Sequence, residues 1–185
     1  MKNQPKFGAT QPWRDNASRG FTLIELLIVV AIILIIAAIA IPNYMRSRMA
    51  ANEAAAAGAV RSITTASVVY WTTYGNGYPP TMVAMGGGPS ANCDQADLID
   101  PIIATAPSQK SGYSFAYLAV NPMAAAGPGC SAPGAQDYLV SATPLTVGVT
   151  GERSFCSDTP AVVHFDPTGA LINSTAVCDA LSPVQ

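Results

Sequence analysis

Residues 21–41 read FTLIELLIVVAIILIIAAIAI, and from 26 to 41 every residue is apolar. As an α-helix rising about 1.5 Å per residue, such a stretch spans about 30 Å, the thickness of a bilayer's hydrocarbon core. The segment is therefore predicted to cross a membrane. Ahead of it stand Lys2, Lys6, Arg14 and Arg19 against the single acid Asp15, so residues 1–20 carry +3 while the rest of the chain carries −5. The positive-inside tendency keeps that basic end cytoplasmic and sends everything after the span outward.

A secretory signal peptide also pairs a basic start with an apolar core and small residues, here AAIA at 37–40. The run is longer than the roughly 7–15 residues of such a core, however. Glu25 also lies in its first turn. An ionisable residue at that depth costs about 2.5 kcal/mol or more on insertion scales, so it calls for a partner or a task. Gly20 offers a protease an unhindered backbone, and cleavage after it would create an amine at Phe21, one helical turn from Glu25.

In this register Arg19-Gly20-Phe21-Thr22-Leu23-Ile24-Glu25-Leu26-Leu27 resembles the prepilin signature of type IV pilins and type II secretion pseudopilins. The resemblance implies a leader, residues 1–20, removed between Gly20 and Phe21 by a membrane-embedded peptidase that also N-methylates Phe21. It further implies that Glu25 pairs with the terminal amine of a neighbouring subunit as the helix leaves the bilayer for a filament core. The family's helix commonly carries a Pro, here Pro42. It often has a Gly eight residues earlier, where this chain has Leu34. Melting between those positions is accordingly left open against a continuous, kinked helix.

Beyond the span, residues 42–74 are rich in Ala and poor in breakers, with Tyr44, Met45, Met49 and Val60 near a helical period. One helix is predicted from about 21 to 74, its halves being 21–41 and 42–74. Gly75-Asn76-Gly77 and Pro79-Pro80 should end it. Residues 75–185 then form a globular domain of loops and a sheet. Short β-prone runs at 111–120, 137–144, 153–157, 161–165 and 170–173, separated by turn residues, suggest about four antiparallel strands. The fold class is α+β, a long N-terminal helix packed on an antiparallel sheet, which is also the pilin fold that the resemblance implies.

The four cysteines, Cys93, Cys130, Cys156 and Cys178, all follow the span, and no two are closer than 22 residues, so no CxxC motif exists. Outside the cytoplasm they read as two disulfides. Three pairings are open; Cys93 with Cys130 and Cys156 with Cys178 are preferred because each closes a local loop.

The composition offers little chemistry. Five scattered cations after residue 20 make no basic stripe for a phosphate backbone. Gly86-Gly87-Gly88 lacks the following Lys-Ser/Thr of a phosphate loop. Asp94, Asp97 and Asp100 are spaced to share one face of a short helix, without an EF-hand pattern. The lone histidine, His164, has no catalytic partners nearby in sequence, and Asn173-Ser174-Thr175 is a sequon too short to carry weight. No catalytic residue, metal ligand or cofactor is read from the chain. The functional reading is a structural filament subunit of a type IV pilus, serving adhesion, motility or DNA uptake, with a type II secretion pseudopilin as the alternative. Its expected partners are copies of itself, the prepilin peptidase and the assembly machinery, first in the inner membrane and then outside the cell.

Overall fold

The computed structural model describes residues 20–184, so the body of the leader, residues 1–19, lies outside the described residues. Helix α1 runs Leu23–Tyr74 and passes through Pro42 without a break. Leu34 to Pro42 is helical throughout in the single chain, although Pro42 cannot donate to the Ala38 carbonyl. Gly75 ends the helix in the left-handed region, φ 61°, its N–H bonding the Trp71 carbonyl at 2.9 Å. A side chain there would strain that turn, which is why the chain uses Gly. The chain divides into two compact units, Met1–Ile41 and Pro42–Gln185.

In the second unit, α1 buries Glu53, Ala56, Ala57, Val60, Ile63, Thr64, Ser67 and Tyr70, a stripe at helical spacing. Sequence periodicity pointed instead to Tyr44, Met45, Met49 and Val60. Of these only Val60 is fully buried, and Tyr44 and Met45 are exposed. The stripe mixes small and polar residues with Val60, Ile63 and Tyr70, and the facing sheet supplies most of the aromatic side chains.

That sheet has six strands, β1 Gln109–Lys110, β2 Tyr113–Pro122, β3 Ala135–Pro144, β4 Ser154–Asp158, β5 Val163–Asp166 and β6 Ser182–Pro183, each antiparallel to the next in chain order. Two more strands than expected appear because β1 and β6 are two-residue edges without sequence signal. The expected strand at 170–173 is instead an extended connection. Its Ile172 is buried against Leu139, Cys156 and Cys178 on the sheet face away from the helix. The apolar run reflects burial of that side chain rather than ladder pairing.

Alternation along the strands separates two cores. Tyr113, Phe115, Tyr138, Val140, Ala142, Phe155 and Val163 join Val60 and Ile63 of α1. Helix α3, Thr175–Asp179, capped by Ser174, lies over the other face and is joined to β4 by the Cys156–Cys178 disulfide. A second disulfide, Cys93–Cys130, links the segment after α1 to the loop between β2 and β3.

Asn76 organises the same region. Its Oδ1 accepts from Gly127 N at 2.7 Å, and its Nδ2 donates to the Ala132 carbonyl at 3.1 Å. The three acids expected on one helix face are not on one. Asp94 sits in a turn and accepts from Ser131, Asp97 is non-helical at φ 52°, and Asp100 caps α2, Pro101–Ala104, while pairing with Lys110.

Candidate assembly helix and processing site

Gly20 is exposed, and a Cβ built on it would meet no atom within 4 Å. Phe21 follows, 87 % exposed. The start of α1 is held by a reciprocal pair of hydrogen bonds. Thr22 Oγ1 accepts from Glu25 N at 3.3 Å, while Glu25 Oε2 accepts from Thr22 N at 2.9 Å and from Thr22 Oγ1 at 2.7 Å. This is a capping box, which satisfies backbone donors that the first helical turn otherwise leaves bare.

In sequence Glu25 stands out as a charge in search of a partner. The signal for its second role was present: Thr22-x-x-Glu25 ahead of an apolar run is the capping-box pattern. The two roles use the same carboxylate. While Glu25 accepts from Thr22 its oxygens are hydrogen-bonded, yet its negative charge is uncompensated by any cation among the described residues of the first unit.

The remainder of the first unit has one property: unburied apolar surface. From Leu23 to Ile41 no residue is buried, and Leu34 and Ile36, for example, are more than half exposed. The helix is long and apolar enough to cross a membrane. Such a face, unburied among the described residues, is suited to contact with lipid or another protein.

A family model described as the prokaryotic N-terminal methylation motif matches residues 15–41. The chain is 61 % identical over 36 residues to the type IV wide pilus major component PilA4 of Thermus thermophilus, a match covering 20 % of this chain and 28 % of that protein. It is 46 % identical over 55 residues to the type IV major pilin protein PilA of Myxococcus xanthus, covering 30 % of this chain and 25 % of the relative. Over this short stretch the chain is similar to type IV pilins. The match spans only about a quarter of the length of these pilins. No solved structure matches the chain. The family-model match is confined to residues 15–41, ahead of the sheet domain.

The sheet domain brings together residues that look unrelated in sequence. His164 has no partner nearby in sequence, but β5 pairs with β4 so that His164 lies directly across from Cys156. Its Nδ1 is 3.9 Å from Cys178 Sγ. Near the same disulfide, Asp158 is almost wholly buried and its Oδ1 has no hydrogen-bond partner. Burial, and then the neighbouring Asp179 carboxyl, push its pKa up to about 6.

Proposed function

We propose that the chain is the precursor of a structural subunit of an extracellular type IV pilus. The observation that supports this reading is the methylation-motif helix whose apolar face is unburied among the described residues. In a bilayer, lipid covers that face; in a filament, the same face packs on copies of itself. The peptidase cuts between Gly20 and Phe21 and methylates Phe21, and the new amine provides the cation that Glu25 lacks. An ion pair formed in an apolar filament core is costly to break, so the pairing sets register between subunits. Pro42 leaves one carbonyl of α1 without its helical donor, a place where the helix can loosen on assembly.

The reading places the precursor in the inner membrane and the product outside the cell, with the prepilin peptidase and pilus assembly machinery as partners. The two disulfides fit that destination, since the sheet domain experiences an oxidising compartment. Electron microscopy of sheared surface material, with immunolabelling of the sheet domain, tests it. Long labelled fibres are expected. A subunit confined to the periplasm overturns the pilus assignment and favours a secretion pseudopilin.

A further inference from the structure

The Cys156–Cys178 disulfide has a third member. Cys156 and His164 are cross-strand partners on β4 and β5, their side chains on the sheet face that α3 covers. Cys178 descends onto them from α3. The two sulfurs and an imidazole nitrogen all lie within 4.8 Å of one another, and both cysteines are fully buried. Two thiolates and a neutral imidazole converging from three elements form a donor set suited to a borderline-soft divalent cation, zinc above all. The sulfurs cannot serve while bonded to each other. They can in the dithiol form, through which every newly exported chain passes before oxidation.

We infer that the dithiol form of this chain binds a zinc-class divalent cation through Cys156, Cys178 and His164, and that the disulfide later replaces the metal. On binding, the two thiols lose two protons to solvent and form two metal–sulfur bonds, with His164 as third ligand and water in the remaining position. On oxidation, an external disulfide oxidant takes two electrons from the two thiolates, the sulfur–sulfur bond forms and the cation is released. The cation would hold α3 against β4 before the covalent link exists, keeping the correct two sulfurs adjacent. The 6.0 Å between the two Cα atoms lies within the reach of both linkages, so exchange needs rotation of side chains rather than refolding of the sheet. The inference does not depend on filament assembly.

Cobalt(II) is the probe, because thiolate ligation gives an intense sulfur-to-metal charge-transfer band and tetrahedral ligand-field bands. The full chain in detergent micelles, carrying Cys93→Ser and Cys130→Ser and reduced with a phosphine, should bind one equivalent of cobalt with both sets of bands. Zinc should displace it. The same variant left oxidised should show neither. His164→Ala should weaken binding at least about tenfold and shift the ligand-field bands. Reduced wild-type chain guards against misfolding of the variant: it must show the same bands and lose them on Cys156→Ser. Absence of the charge-transfer band from both reduced chains, or unchanged affinity in His164→Ala, overturns the inference.

Discussion

Glu53 and Arg153, one hundred residues apart, join α1 to the start of β4: Arg153 donates to Glu53 Oε2 from Nε at 2.8 Å and from Nη2 at 2.6 Å. The other carboxylate oxygen accepts from Glu152 N at 2.8 Å and, more weakly, from Arg153 N. Asn52 adds a bond to the Thr150 carbonyl. Glu53 is thus a nearly buried acid on the core-facing stripe of α1, and it anchors the turn between β3 and β4.

Glu53→Ala is expected to destabilise the sheet domain by about 2 kcal/mol, since two backbone donors and a guanidinium lose their acceptor. The pH dependence follows from the carboxyl itself. Burial acts to raise its pKa, but the N–H of Glu152, the Arg153 side chain and the N–H of Arg153 outweigh it and hold it below 4.5. An acid lowered in the native state contributes stability above its unfolded pKa and loses it as pH falls through the folded value. Denaturant melts of wild type should therefore weaken below about pH 4.5 more steeply than those of Glu53→Gln. Parallel curves would refute the anchor.

Asp158 works in the opposite sense. Its pKa is raised from 3.8 to about 6, so the native state holds a proton that the unfolded chain releases between those values. Stability from this group is present below pH 3.8 and declines as pH rises toward 6. Asp158→Asn should flatten that decline and, in the oxidised protein at pH 7.5, raise stability by about 1 kcal/mol, a figure discounted for screening at the exposed Asp179. A loss of stability at that pH would mean that the carboxylate has a partner of greater value than its cost.

Two glycines should respond oppositely to alanine. A Cβ at Gly134 would press on the backbone carbonyls of Asn76 and Tyr78 beside the bridge between Tyr78 and Ala135, where no flexible side chain can yield. Gly134→Ala should cost about 1–3 kcal/mol. Gly58 lies on an exposed face of α1, and its added Cβ would meet nothing within 4 Å. Gly58→Ala should stabilise the isolated subunit by about 0.5–1 kcal/mol, through restriction of the unfolded chain. Chemical denaturation of both variants checks the contrast.

The α+β class, the extent of α1 and the methylation motif were legible because each rests on local pattern: an unbroken apolar run, Ala-rich helix propensity, Gly-Asn-Gly as terminator. What escaped was set by tertiary contact. The apolar residues Tyr44 and Met45 face outward while polar Glu53 and Ser67 face inward, since the stripe is chosen by the bulky tyrosines and phenylalanines opposite. Leu171 and Ile172 look like strand, yet Ile172 serves as a plug over the sheet and Leu171 is exposed. The meeting of His164 with Cys178 depends on strand register and a disulfide together, which no window of sequence contains.

At the start of α1 the capping box and the proposed charge pairing make separable demands on Glu25. Glu25→Gln keeps an acceptor at the third helical position, so Thr22 can still be bonded and the first turn retained. It removes the charge that the Phe21 amine would meet. Glu25→Ala removes both. Intact-mass measurement should show each variant processed to a chain beginning with methylated Phe21, because the proposed cut follows Gly20. Gly20→Val, whose side chain crowds the scissile bond, should leave the leader attached. Filament yield by shearing and electron microscopy should then fall to background for Glu25→Gln as well as for Glu25→Ala, since a neutral amide leaves the amine uncompensated in an apolar core. If Glu25→Gln assembles like wild type while Glu25→Ala does not, the capping box alone explains the residue, and the carboxylate's charge has no part in setting subunit register.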